Sequence, residues 1–586
     1  MQLTLRFGDA ANLPDTSYMH LYHILTIFPD DRHIRASHDA FLHEVLDREG
    51  ISITAHCDGM GLCGKCVVAI RMPDGSYPPE TADDHRHLSE EERAAGLRLA
   101  CQWRVCGDAE VTIPSKSRIN ELHVLVDTRD VEGVTPRETT GDHPLGIAID
   151  IGTTTVVGTL MDRNSGVTRA VSSALNGQYR YGADVISRIQ HSLDDTGLDE
   201  LHAAVVDTLN AIITRLLDKG SVTGDAVGEI TVTGNTVMLH ALHRESMQSL
   251  SVLPFEPVFR HGRTIEAEHL GLCLDNGTPV YTFPLIGGFV GGDTVACMIS
   301  TDMDAADGCR MMIDVGTNGE VALSTDGVCI TTSAPAGPAF EGRGISCGMH
   351  GTAGAIEHVR ILPDGMHLDV INQQTPEGVC GTGLIDATAE LLNWQVLDYT
   401  GRLVDPDELP DGTPSWLKQR IMTVRGENAF LLFDPESDVF VRNGAKPGQL
   451  VLTQKDIREV QLAKGAIATG CAMLLAHAGI TLDDLGCVYL AGAFGNYLRP
   501  AQARRIGLLP DIPLSKLSFI GNAASTGAKR ALVSPEYRRR AEWLAESAGH
   551  IDLAADASFQ MVYADNMLFP EELNNTDNSI AEHGYE

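Results

Sequence analysis

Residues 148–158 read AIDIGTTTVVG, and residues 312–321 read MIDVGTNGEV. Each is an apolar strand that ends on an aspartate, turns through glycine and threonine, and leaves as a second apolar strand. Such a turn points backbone amides and a threonine hydroxyl at a phosphate, while the aspartate at the strand end can hold magnesium directly or through water. One turn of this kind is a weak signal, because glycine turns between strands are common. Two of them, about 160 residues apart, predict a duplicated domain with a nucleotide between its halves. A third strand, VYLAGAFGNYL at 488–498, runs into Gly492, Gly495 and Asn496, which suit close approach of backbone to an adenosine. The nucleotide residues expected from these stretches are Asp150, Gly152, Thr153, Thr154, Asp314, Gly316, Thr317, Asn318, Gly492 and Gly495.

Outward from these turns the pattern of an α/β protein continues. LDELHAAVVDTLNAIITRLLDKG carries Leu201, Val205, Leu209, Ile212 and Leu216 on one helical face. TQKDIREVQLAKGAIATGCAMLLAHAGI opens with Thr453 and Asp456 placed as a capping box and stops at Gly479. Asp293, in GGFVGGDTVA, is placed either to orient an attacking water or to cap a helix. Glu320 reads as a surface charge after the second turn. His240 and His243, three residues apart with no third ligand in view, read as helix-surface histidines.

Upstream lies a different kind of unit. Residues 57–66, CDGMGLCGKC, set Cys57, Cys63 and Cys66 at C-x5-C-x2-C, and Cys101 follows 35 residues after Cys66 in LRLACQ. Glycines 59, 61 and 64 let backbone amides point at sulfur without intervening side chains. The spacing is close to that of plant-type 2Fe-2S ferredoxins. The flanking order of HILTIF, RHIRAS, a short helix in HDAFLHEVLDREG, CVVAIR and AEVTIP is that of a β-grasp. Structural zinc sites usually present two close cysteine pairs, and only Cys63 and Cys66 make one here. Cys106 could replace Cys101, but reads better as a thiol beside the cluster.

The chain of 586 residues exceeds a single hydrophobic core. The expected organisation is a 2Fe-2S ferredoxin-like domain over 20–115, a linker over 116–143 with one short strand at His123 to Val126, a two-lobed domain over 144–565 and an acidic tail over 566–586. Against 79 Asp and Glu stand 44 Lys and Arg, a formal charge of −35, which excludes nucleic acid unless a basic patch is strongly localised. The one dense basic cluster, Arg538 to Arg540, reads as a solvated helix face. No run approaches the roughly 18 apolar residues of a membrane span, and the N-terminus lacks the basic and apolar regions of a signal peptide. A cytoplasmic protein without membrane contact is the expectation. The 13 cysteines do not suggest a disulfide framework.

Together the turns and the VYLAGAFGNYL strand resemble the phosphate and adenosine motifs of the acetate kinase, sugar kinase, Hsp70 and actin (ASKHA) superfamily, whose duplicated core is ribonuclease H-like. From about residue 20 to 565 the chain resembles the reductive activators of corrinoid-dependent methyltransferases. That resemblance rests on CDGMGLCGKC with LACQ, AIDIGTTTVVG, TGNTVMLHAL, GGFVGGDTVA, DVGTNGE, AGPAFEGRGISCGM, TQKDIREVQLAKGAI and AGAFGN. It implies a 2Fe-2S cluster, ATP and Mg2+ as cofactors, and one electron passed to Co(II) of a corrinoid protein to restore Co(I). It also implies a low-potential electron donor and admits a homodimer. The Co(II)/Co(I) couple lies below the roughly −400 mV of a plant-type cluster, and every 100 mV of uphill transfer costs about 2.3 kcal/mol, so ATP hydrolysis has a task. Two departures stand out: a middle domain of longer relatives is not evident between ferredoxin and ATPase, and no C-terminal 4Fe-4S motif is present. The loop APAGPAFEGRGISCGMHGTAGAIE is poor in bulky side chains, which suits contact with a flat macrocycle. Glu341 in its middle is the candidate to approach the corrinoid, or else a loop carboxylate paired with Arg343. Competing readings are an ATP-driven donor to another low-potential acceptor, as in 2-hydroxyacyl-CoA dehydratase activators, and a redox-sensing actin-like regulator.

Overall fold

The structure, a computed structural model, describes residues 22–28, 32–49, 51, 53, 66–114, 131, 134, 143–274, 277–305, 307–316, 318–435, 448–492, 498–571 and 573. The chain divides into two compact units, one ending at Asn120 and one beginning at Glu121.

The first unit is a five-stranded sheet of β1 (Tyr22–Phe28), β2 (Arg32–Ser37), β3 (Val67–Arg71), β4 (Leu97–Leu99) and β5 (Ala109–Thr112). Its order is β2-β1-β5-β3-β4, with β1 and β5 parallel, as the β-grasp expectation requires. The helix Leu42–Arg48 buries Leu42, Val45 and Leu46 in its core. With the short helices Ala82–His87 and Glu90–Ala94, strand β4 is one of the elements that periodicity missed. Three residues carry too little pattern, and its edge is instead fixed by side chains. Buried Asp84 accepts from the Leu99 amide (2.8 Å), and the Arg98 guanidinium donates to the Pro78 carbonyl.

The second unit contains two six-stranded sheets. The first holds β6 (Leu145–Ile151), β7 (Thr155–Asp162), β8 (Thr168–Leu175), β9 (Val227–Gly234), β10 (Arg263–Glu266) and β11 (Pro279–Thr282), in the order β10-β11-β9-β6-β7-β8. The second opens with β12 (Cys309–Val315), β13 (Gly319–Thr325) and β14 (Val328–Ala334). Two three-stranded sheets follow: β15 (Ala355–Leu362), β16 (Gly365–Val370) and β17 (Gly378–Val379), then β18 (Ile421–Val424), β19 (Glu427–Phe433) and β20 (Leu450–Thr453). The second large sheet then closes with β21 (Leu485–Ala491), β22 (Leu517–Gly521) and β23 (Gly549–His550), in the order β22-β21-β12-β13-β14-β23. The duplication is visible in the pairing. Strands β6-β7-β8 and β12-β13-β14 are antiparallel meanders, and the first strand of each also pairs in parallel with a later one, β9 or β21. β6 is buried almost throughout, as befits a central strand covered on both faces.

The long helices are where periodicity put them. Gly197–Gly220 buries all five residues of the expected face, and Gln454–Ala478 begins with the Thr453/Asp456 capping box and ends on Gly479 at φ 68°. The lobes interlock. Helix Ala523–Val533, from late in the chain, packs on β6 and β9 of the first sheet and on helix Gly292–Ser300. One core accordingly mixes Ala148, Met161 and Phe283 with Met312, Ala322 and Ala491.

Three expectations need correction. The acidic tail does not begin at residue 566: helix Phe559–Met567 runs past it, Phe569 is buried, its amide donates to the Tyr399 carbonyl (2.8 Å), and Lys464 donates to the Leu568 carbonyl. Burial of one aromatic outweighs the polar character of the sequence around it. Arg538 and Arg540 are not a solvated face, because they pair with Glu229 (2.5 Å) and Asp304 (2.8 Å); only Arg539 is exposed. Of the linker, Val131 and Val134 pack against the shared core; the strand expected at His123 to Val126 lies outside the described residues.

Candidate nucleotide cleft and cluster site

In the first lobe the turn after β6 is held from behind. The Gly152 amide donates to the Thr155 carbonyl (3.0 Å), and a β-carbon at Gly152 would stand 2.6 Å from that oxygen, so only glycine fits. Asn176 donates from its side chain to the Gly152 carbonyl (2.9 Å) and from its amide to that of Thr154 (2.8 Å). Fully buried Arg188 donates to the Thr153 carbonyl (2.6 Å). Asn235 donates to the Thr153 hydroxyl (3.0 Å), which leaves the threonine O–H free to donate, while Thr154 and Thr155 line the cavity. In the second lobe the Gly316 amide donates to the Asn318 carbonyl (3.2 Å). Gly316 lines the cavity; Asn318 does not.

The cavity is about 830 Å³, and Asp150, Gly152, Asp293, Asp314, Gly316, Gly492 and Asn522 are among the residues that line it. The structure therefore brings both expected turns to one space. Gly492, expected at an adenosine, lines the cavity and abuts the second turn: at φ 91°, its missing β-carbon leaves room for the Asp314 carboxylate. Thr317 and Gly495 lie outside the described residues.

The electrostatics are dominated by buried acids. Burial and the neighbouring Asp293 push Asp150 and Asp314 each up to about 7; Asn522 hydrogen-bonds Asp150 and partly opposes this. Asp293 is pushed up to about 6 by burial. It lies inside the first turn of helix Gly292–Ser300 and accepts from the Thr294 amide (2.7 Å), so it is not the cap, a place taken by Gly291. Glu320 is not a surface charge. It sits opposite Asp314 in the β12–β13 register, and burial with Asp293 and Asp314 drives its carboxyl far up. A cluster of this kind stays neutral or takes up a divalent cation. Among the described residues, the only three acid or thiol or imidazole groups close enough for direct shared ligation are the exposed Glu266, Glu268 and His269. A magnesium in the cleft thus fits the cluster acids through bridging water.

Glu341 lines the same cavity and stands 3.6 Å from a guanidinium nitrogen of buried Arg343. The pair with Arg343 is therefore present, and Glu341 sits in the cleft. His240 and His243 are not surface histidines. His240 is fully buried against Phe259, bonds the Thr236 carbonyl and accepts from the Val258 amide, and desolvation pulls both histidines down to about 4. Sequence reasoning assigned no role to Asn176, Arg188, Asn235 or Asn522. A signal existed for the last two: TGNTVM and IGNAAS are both strand, glycine, asparagine, helix, and in both the asparagine caps the helix.

At the cluster site, Cys66 and Cys101 are buried in one core and flank the β3–β4 pairing, where the Ala100 amide donates to the Cys66 carbonyl (2.8 Å). The Gln102 side-chain amide donates to the Cys101 sulfur at 3.6 Å, as outer donors to cluster sulfur do. Cys106 is exposed. Cys57 and Cys63 lie outside the described residues. The described half of the ligand set fits an iron-sulfur cluster.

The comparisons with known proteins fall on these units. Residues 25–106 match the 2Fe-2S iron-sulfur cluster binding domain, 145–306 the RACo middle region, and 308–579 the C-terminal domain of RACo, the ASKHA domain. The residues matched to the RACo middle region are those of the first lobe. Corrinoid activation enzyme RamQ of Eubacterium limosum is 35% identical over 455 residues, 77% of this chain and 75% of that protein. The [Co(II) methylated amine-specific corrinoid protein] reductase of Methanosarcina barkeri is 26% identical over 71% of this chain and 76% of its own. The solved structure of a reductive activator for corrinoid, iron-sulfur protein superposes with a TM-score of 0.64 at 27% identity, covering 94% of this chain and 98% of that one. No helix among the described residues is long and apolar enough to cross a membrane.

Proposed function

Because the chain belongs to the RACo family of corrinoid-activating proteins, we propose that it is an ATP-dependent reductive activator of a corrinoid protein. A 2Fe-2S cluster, when bound, supplies a one-electron donor at low potential. Held by Cys66 and Cys101 together with Cys57 and Cys63, it would supply the one electron that takes the partner's Co(II) to Co(I), with a low-potential donor as the electron source. The observation that carries this reading is the pairing, in one chain, of a ferredoxin unit with a cleft where Asp150 and Asp314 face a shared cavity.

In the cleft, the amides of the Gly152 and Gly316 turns bind the phosphates, and Asp150, Asp314 and Asp293 hold magnesium through water. Asp293, at a helix N-terminus and with its carboxyl near neutrality, is suited to orient the attacking water. Hydrolysis changes the affinity of the two-lobed element for its partner, which is how it drives an uphill transfer. Glu341, between the cavity and the glycine-rich loop, is the carboxylate placed to join nucleotide state to corrinoid contact. A match to a 2Fe-2S domain rather than a 4Fe-4S site at a dimer interface favours this reading over a dehydratase-type activator.

The test is anaerobic: protein, low-potential reductant and a Co(II) corrinoid protein, with and without MgATP, followed by the Co(II) absorption band. Co(I) should accumulate only with ATP. Reduction at full rate without nucleotide refutes the coupling.

A further inference from the structure

The two lobes are repeats, and each meander is followed by a short 3-10 segment: Gly177–Tyr181 after β8, and Ala339–Glu341 after β14, the latter lining the cleft through Phe340 and Glu341. These equivalent segments meet. Arg343, from the second lobe, donates to the Ala183 carbonyl of the first (2.7 Å), and its guanidinium lies 5.1 Å from the Tyr179 ring. On the first-lobe side, residues flanking that segment hold the phosphate-binding turn. Arg188 reaches from the helix Val185–Ser192 to the Gly182 carbonyl (2.9 Å) and to that of Thr153 (2.6 Å), and Asn176 bonds Gly152 and Thr154. On the second-lobe side, Arg343 pairs with Glu341, which lines the nucleotide cavity. Hydrogen bonds, the Gly182–Ala183 backbone and an ion pair therefore link the first phosphate turn, across the lobe boundary, to the glycine-rich loop.

The bridge is built to come apart. Arg343 is almost fully buried, yet among the described residues its Nε and Nη2 make no hydrogen bond, and the guanidinium of buried Arg188 repels it. A buried guanidinium has five donors, and leaving most of them unmet is costly. Such a contact is held by closure of the lobes and released when they part.

We propose that Arg343 is a positioning residue that couples nucleotide-dependent closure of the cleft to the placement of the loop 335–351. This rests on the nucleotide reading above and adds the residue through which the two lobes act on one another. The loop would be fixed against the first lobe only when the phosphate turn is drawn in.

Hydrogen exchange on the full-length protein with magnesium and the non-hydrolysable analogue AMPPNP tests it. In the wild type, AMPPNP should slow exchange in both 176–188 and 335–351. In Arg343→Ala, protection of 176–188 should stay within about twofold of wild type, while that of 335–351 falls at least tenfold; Arg343→Lys, which can still reach one carbonyl, should recover part of it. If Arg343→Ala does not fold, Tyr179→Leu, which keeps the guanidinium and removes the ring beneath it, should lower protection of 335–351 about threefold. Unchanged protection of 335–351 in these variants overturns the proposal, as does its loss together with that of 176–188. Wild-type protection confined to 176–188 refutes the coupling alone, whereas no protection anywhere refutes the nucleotide clamp itself.

Discussion

A β-carbon on Gly492 would stand 2.7 Å from Oδ1 of Asp314. The strand end of β21 and the phosphate turn after β12 are adjacent in one sheet, Asp314 pairing with Ala491, and the space for the carboxylate exists because residue 492 has no side chain. Gly492→Ala would add strain at φ 91°, about 1–2 kcal/mol, and would displace Asp314. Affinity for MgATP, measured by calorimetry, should fall at least tenfold, with the cluster absorbance unchanged.

Asp150 and Asp314 titrate near 7 in the folded state against 3.8 for the ordinary carboxyl. The folded form thus binds more protons than the unfolded form between about pH 4 and 7, and its stability falls as pH rises through that window. The metal-free protein should lose about 3–5 kcal/mol between pH 5 and pH 8, read as a declining melting temperature, and Asp150→Asn should flatten the slope. Magnesium nucleotide displaces those protons, so its affinity should rise from pH 6 to pH 8.

The cluster should depend on Cys101 and Cys66, both buried, and not on exposed Cys106. Cys66→Ser and Cys101→Ser should each abolish the visible absorbance and the binding of about two irons. Cys106→Ser should retain both. Retention in Cys101→Ser with loss in Cys106→Ser would reverse the assignment.

Phe569 lies in the core of the second lobe beneath Lys464. Phe569→Ala should destabilise that lobe by about 3–5 kcal/mol, measured by denaturant unfolding. A polar frayed tail would give no change.

Local chemistry made much of this protein legible in its sequence. The β-grasp order, the two strand-turn repeats, the long helices with their caps and the cysteine spacing are all encoded within a few consecutive residues, where periodicity, glycine and capping side chains act directly. The sequence also singled out Asp150, Asp314, Gly492 and Glu341. What depended on the tertiary structure is everything set by neighbours distant in the chain. Glu320, His240 and Arg538 look like surface residues because hydrophilic side chains usually are; a facing Asp314, a stacked Phe259 and a paired Glu229 bury or engage them. Phe569 sits in an acidic stretch but is held by Tyr399 and Lys464, about 170 and 105 positions earlier. Arg343 bears on the first lobe only because duplication folds residue 183 against it, 160 positions away. Such contacts carry no local signature, since their free energy comes from desolvation and pairing across the fold rather than from the conformational preferences of a short segment.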